Sequence, residues 1–183
     1  FLGSIQTGLA YALQYIAMIR AASINCSILN GTGVIFSTIF AHLLFPDDRL
    51  TLKKAVGAIV GFMGVLVCFL WGGKGESFTF FGEGLELISI ITFVFGSNIS
   101  RLITKDIKPV VASGYNLLIG GFELFVLGLI LGGRIGWGGF YGLLCLVFLS
   151  LTSSLCLYLW TALIKENTVS RIAVFQCVNP ITG

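Results

Sequence analysis

The sequence predicts an all-α polytopic membrane protein, and three observations carry that prediction. Seven apolar stretches fill nearly all of the 183-residue chain. The composition is 56% apolar and only 10% charged, too little charge to cover a domain surrounded by water. The basic residues sit on alternate connections between the stretches. A hydrocarbon core of about 30 Å takes about 20 apolar residues at helical rise, with about 17–25 tolerated. The stretches run over Phe1–Ile19, Ala21–Phe45, Leu52–Trp71, Gly84–Ser100, Pro109–Gly132, Gly139–Ile164 and Thr168–Gly183.

The first span carries Ser4, Thr7, Tyr11 and Gln14 at i, i+3, i+7 and i+10, one helical face. The second is polar through its outer half, with Ser23, Asn25, Ser27, Asn30 and Thr32, and Gly31 and Gly33 leave room for a local break. His42, near its inner end, reads as interfacial. The third span offers a close-packing face in Gly57-x-x-x-Gly61-x-x-Gly64. The fourth holds Asn98, able to reach a cavity or a neighbouring backbone, with Glu83 and Glu86 read as interfacial at its outer mouth.

Glu123 in the fifth span is the sharpest single residue, because an ionised carboxylate at that depth costs about 2.5–3.5 kcal/mol on insertion scales. It is expected to face the protein interior beside Asn116 and Gly120, as a proton or cation carrier or as a neutral structural acid. Gly128-x-x-x-Gly132 in the same span is a second packing face. The sixth span repeats a polar stripe in Ser150, Ser154, Tyr158 and Thr161. The seventh carries Gln176, Asn179 and Pro180 where the second has its own break. Interhelical hydrogen bonding, worth about 0.6 kcal/mol per pair, explains any one stripe. Two matching pairs of stripes favour a shared cavity.

Charge sets the orientation. One side of the membrane holds Arg49, Lys53, Lys54, Arg101, Lys105, Lys108, Lys165 and Arg171, and the other only Arg20, Lys74 and Arg134. Eight against three accounts for all eleven basic residues and makes the first side cytoplasmic. The net charge of +3 thus reports topology, and dispersed basic residues give no nucleic-acid surface. Cys26, Cys68, Cys145, Cys156 and Cys177 lie within spans at no metal-like spacing and read as small buried apolar residues. No cofactor or metal is implied. The glycosylation patterns at Asn25, Asn30 and Asn98 fall inside spans, and Gly73-Lys74-Gly75 lacks the spacing of a phosphate loop.

A weak internal similarity recurs at an offset of 145 residues, Thr7, Tyr15, Ala17, Met18, Ile19 and Arg20 facing Thr152, Trp160, Ala162, Leu163, Ile164 and Lys165. An odd number of spans lies between the copies, so they would cross in opposite senses, as inverted repeats of secondary transporters do. Chance likeness among apolar helices is the plainer alternative.

Tyr15-Ile-Ala-Met, Ser27-Ile-Leu-Asn30-Gly-Thr-Gly-Val-Ile-Phe36, Asp48-Arg-Leu-Thr51 and Gly57-x-x-x-Gly61-Phe-x-Gly-Val65 together resemble the first EamA repeat of the drug/metabolite transporter superfamily. Gly82-Glu-Gly84, Ser113-Gly-Tyr115, Gly120-Gly121 and Val169-Ser-Arg-Ile-Ala-Val-Phe175 to Asn179-Pro180 resemble the second. The resemblance implies two inverted five-helix repeats and about ten spans, of which these seven would be the third to ninth. Residues 1–72 would then be the later part of the first repeat, 73–83 an outer connection, and 84–183 most of the second, its last span incomplete. The chain, opening within an apolar run, reads as a piece of a longer protein. Asp48 and Gly33 depart from the Glu and Pro usual in the family, and Glu123 matches no family position.

These readings converge on a secondary transporter, not an enzyme, that moves a small metabolite or drug-like compound outward by alternating access. Tyr11, Gln14, Asn30, Tyr158 and Gln176 are the expected cavity contacts, and Glu123 a candidate for proton coupling. The expected partners are the small-molecule substrate and the lipid bilayer of a bacterial cytoplasmic membrane, and a homodimer is compatible. A non-transporting scaffold or accessory subunit is the first alternative. A membrane enzyme is the second, disfavoured by one His and no evident carboxylate pair.

Overall fold

The computed structural model describes residues 1–45, 56, 57, 59, 60, 63, 64, 67, 80–133, 136, 139–167 and 172, with the side chains of 23, 24, 27 and 80 left out. The expected seventh span lies almost wholly outside these residues, and the third is described only at scattered helical positions. Among the described residues the chain is helical without a strand. A π-helical segment, Ser4–Leu9, runs into α1 (Ala10–Met18), followed by α2 (Ser23–Asn30), α3 (Gly33–Leu44), α4 (Phe80–Thr104), α5 (Pro109–Ile130) and α6 (Gly139–Glu166). The last three are long and apolar enough to cross a membrane, which with their composition makes this a multi-pass membrane protein.

Local chemistry explains the ends. At the junction of α2 and α3 the backbone tightens rather than breaks: Gly31 N–H reaches Ile28 C=O at 3.1 Å and Thr32 N–H reaches Leu29 C=O at 2.8 Å, both i to i+3. The Thr32 hydroxyl also donates to Leu29 C=O at 2.6 Å. α3 stops at Phe45, whose extended backbone (φ −125°, ψ 114°) suits a residue preceding Pro46. Pro109 opens α5 where its missing N–H costs nothing. Gly132, at φ +83°, closes it in a left-handed cap, with Gly133 N–H on Gly128 C=O at 2.8 Å. Among the described residues a side chain at Gly128 or Gly132 would meet nothing within 4 Å, so the packing face expected of them has no partner there. Gly57 and Gly64 likewise face open space among the described residues.

α4 is the hub, packing against every other element. Small residues let it approach: the Cα of Gly96 lies so near Gln6 that an added methyl would sit 2.7 Å from the Gln6 Cβ. Ser89 Oγ donates to the Ala10 carbonyl at 2.8 Å. Contacts also give relative directions. Gln6, Ala10 and Gln14 meet Ser97, Ser89 and Glu86, so the π segment and α1 run antiparallel to α4. Gly3, Thr7 and Gly8 lie against Asn116, Gly120 and Glu123, so they run parallel to α5. Those directions are the ones that alternate crossing requires.

The inner end of α3 is pinned by charge. The Arg101 guanidinium stands 4.3 Å above the Phe45 ring, with Lys105 Nζ at 5.9 Å. α6 is held mainly by its last turns, where Thr161 and Ile164 are buried and Trp160 packs with Ile164 and Ile172. Its earlier turns expose Phe140, Leu144 and Phe148, a surface suited to lipid or to a neighbouring helix.

Candidate functional site: a buried polar seam

Two hydrogen-bonded clusters line the faces that α1, α2, α4 and α5 turn to one another. The inner cluster begins in the π segment, whose wide turn buries Gln6, Thr7 and Gly8 in succession. Thr7 Oγ1 donates to Asn116 Oδ1 at 2.7 Å, and Asn116 Nδ2 donates to Gln6 Oε1 at 2.9 Å. Gln6 Nε2 then donates to Ser97 Oγ at 3.1 Å, which also accepts Trp160 Nε1 at 3.3 Å. Four helical elements are thereby tied by one chain of bonds, its amides saturated as buried polar groups must be.

The outer cluster is built round two carboxylates. Glu83 and Glu86 are both fully buried, one turn apart on α4. Asn25 Nδ2 donates to Glu83 Oε1 at 2.9 Å. Asn30 Nδ2 and Gln14 Nε2 both donate to Glu86 Oε1, at 3.1 and 3.5 Å, and Asn30 Nδ2 also reaches Cys26 C=O at 3.0 Å. Glu86 Oε2 is buried without a hydrogen-bond partner. These acids are therefore enclosed in the protein rather than open on its surface. α4 starts at Phe80, a turn ahead of the expected Gly84, which carries both carboxylates into contact with α1 and α2. A buried acid pair exists where none was evident.

The expected cavity residues divide. Gln14 and Asn30 meet at Glu86. Tyr11 stands one turn inward, its ring 6.4 Å from those of Tyr15 and Phe93. Tyr158 is 36% exposed on α6, away from that cluster, and Gln176 lies outside the described residues. The α6 stripe bonds largely to its own backbone: Ser150, Ser154 and Thr161 each donate to the carbonyl four residues back. Ser150, Ser153 and Ser154 line an open groove of about 560 Å³ against Leu117 of α5.

Glu123 is exposed rather than interior. Its carboxylate rests against Gly8, at the edge of a groove of about 380 Å³ with Ser4, Ala12 and Leu127. Asn116 and Gly120 of the same face are buried where they meet Gly3 and Thr7, whereas Glu123, against Gly8 of the same segment, stays exposed. Asn98 donates to Val94 C=O of its own helix at 2.8 Å, and His42 is exposed near the end of α3. Cys26 is buried as expected, whereas Cys145 and Cys156 are exposed on the loosely held part of α6. Among the described residues no three His, Cys, Asp or Glu side chains gather as metal ligands.

The polar seam engages the stretch in which the sequence first resembles a known family. Residues 1–70 match the EamA-like transporter family. The EamA match thus covers the π segment and α1 to α3, which supply Gln6, Thr7, Gln14, Asn25 and Asn30 to the seam. A solved crystal structure, described only as that of a protein, has the same fold with a TM-score of 0.83 at 19% identity. The likeness covers 98% of this chain, which spans 64% of that one. No curated protein matches the chain.

Proposed function

We propose that the complete protein is a secondary transporter that exports a small metabolite or drug-like compound by alternating access. The EamA match and the membrane-spanning helices support the transporter class. The observation that carries the pathway is the outer cluster: two fully buried carboxylates on α4 meet amides from α1 and α2, on the far side of the 73–83 connection. Two repeats, 1–72 and 84–183, would rock about this seam, bringing Gln14, Asn30 and Glu86 to either face in turn. Buried polar and ionisable residues inside a membrane mark transport paths by default, and the paired directions of α1, α4 and α5 suit inverted repeats.

Tyr11 lies beside this path, and Tyr158 and Gln176 are proposed as further contacts along it. Proton coupling through Glu123 belongs to the same proposal. The test is flux into proteoliposomes holding the full-length protein, over a panel of metabolites and cations. Gradient-driven movement of at least one compound is expected, and no flux above empty vesicles for the whole panel contradicts the reading.

One observation favours the accessory-subunit alternative. The inner cluster is closed, each amide taken by another side chain, as in a packed core. In that reading no solvent path reaches Gln14.

A further inference from the structure

The outer cluster has a chemical asymmetry that identifies what it takes. Asn25, Asn30 and Gln14 each donate to a carboxylate through their nitrogens. Asn30 Nδ2 spends both of its hydrogens, on Glu86 and on Cys26 C=O, so that Asn30 has only its carbonyl oxygen left to offer, while Asn25 and Gln14 each keep one N–H. Both donors to Glu86 converge on Oε1, while Oε2 of the same carboxylate, on a residue with no exposed surface, has no hydrogen-bond partner. Glu83 is engaged separately by Asn25 and by further contacts of its own. The bare acceptor of the cluster is therefore Glu86 Oε2.

A buried oxygen of this kind is costly unless a positive group or a donor fills its place. An anion is excluded by the acids, and a thiophilic or imidazole-seeking metal finds the Cys26 thiol near them but no set of three metal-ligating side chains among the described residues. Divalent ions take six or more oxygens with several carboxylates, more than Glu86 and two amides supply. We propose that Glu86 Oε2, within the cluster that Asn30 and Gln14 complete, binds a desolvated monovalent cation, an alkali ion or the ammonium head of an amine. The binding site stands on this geometry; its purpose, as coupling ion or cargo, rests on the transporter reading. Tyr11 and Phe93, 6.4 Å apart, lie a turn or two inward on the helices that carry Gln14 and Glu86, and offer aromatic surface to an amine's apolar body.

The test uses the full-length protein in detergent, in N-methylglucamine buffer, with sodium chloride and phenethylammonium chloride titrated separately by calorimetry and 3-phenylpropionate as the opposite-charge control. At least one cation is expected to bind, and Glu86→Gln to weaken it by about 10- to 100-fold, as loss of a charged hydrogen bond does. Glu166→Gln, on the exposed end of α6, is expected to leave it unchanged. Sodium binding without amine binding assigns the ion, and the reverse assigns the head group. Binding of neither cation, binding untouched by Glu86→Gln, or equal binding of 3-phenylpropionate overturns the proposal.

If Glu86→Gln fails to fold, dicyclohexylcarbodiimide labelling of wild-type Glu86, mapped by mass spectrometry, decides. Protection by the bound cation is expected, and indifference to both cations overturns the site. A protein that binds neither cation yet carries flux of another compound loses this site and keeps the transporter reading. One that binds a cation but carries no flux does the opposite.

Discussion

Glu86 Oε1 accepts Asn30 Nδ2 at 3.1 Å although the two residues stand 56 positions apart. Asn30 ends α2 immediately before the tightened turn at Gly31 and Thr32, so the bond fixes that turn against α4. The carboxylate holds Gln14 of α1 as well, at 3.5 Å. Three helical elements are thus joined through one acid.

The inner cluster gives a stability prediction. Asn116→Leu removes bonds to both Thr7 and Gln6, which are buried. Two pairs at the membrane average of about 0.6 kcal/mol give about 1 kcal/mol, and stranding buried polar groups raises the loss toward about 3 kcal/mol. Reversible unfolding in mixed detergent should show a loss in that range. No loss would mean that water or a rearranged Gln6 replaces Asn116.

Two glycines eight residues apart on α5 should respond in opposite ways. A methyl at Gly120 would overlap Thr7, and one at Gly128 would meet nothing within 4 Å. Gly120→Ala is expected to destabilise by about 1–3 kcal/mol through overpacking. Gly128→Ala should be neutral or stabilise by up to about 1 kcal/mol, as alanine does in a helix interior. Equal effects in the same unfolding assay would argue against the close approach of the π segment to α5.

Glu123→Gln tests the coupling proposal for that residue. If Glu123 carries the proton, the variant loses pH-gradient-driven flux and keeps its folding and surface expression. Unchanged gradient-driven flux would leave Glu123 as a partner of Gly8 alone.

Orientation can be read with reporter tags. Tags within 46–54 and within 101–108 should both report the cytoplasm, since basic residues concentrate there and α3 and α4 run parallel through the contacts of Asn30 with Glu86 and Phe45 with Arg101. Opposite sides would break the alternating topology.

Much of this was legible in the sequence, for reasons that mark where reading stops. Apolar length placed the first, second, fourth, fifth and sixth spans, and Gly31 with Gly33 located the tightened turn in the second. Hydrophobic period also gave the α1 face bearing Thr7, Tyr11 and Gln14. Gln6 escaped notice because the π segment changes the helical phase and buries two neighbours that a regular stripe would separate. The burial of Glu83 and Glu86 is not legible because their amide partners are 58 and 56 positions away, and nothing local reports such complementarity. The α6 stripe looked like a cavity lining, yet hydroxyls bonded to their own helix have the same spacing. The likeness of Thr7 to Thr152 does not extend to their surroundings, since Thr7 is buried and Thr152 is exposed, donating to Phe148 C=O. Period identifies a face but not what covers it.

The most direct test of the transport account is whether water reaches Gln14. All five native cysteines are replaced by serine in the full-length protein, Gln14→Cys is introduced, and labelling by a membrane-impermeant maleimide is followed in sealed vesicles. The account predicts labelling of the folded protein that slows when a transported compound is present. Labelling only after denaturation would contradict it and leave a closed, packed bundle.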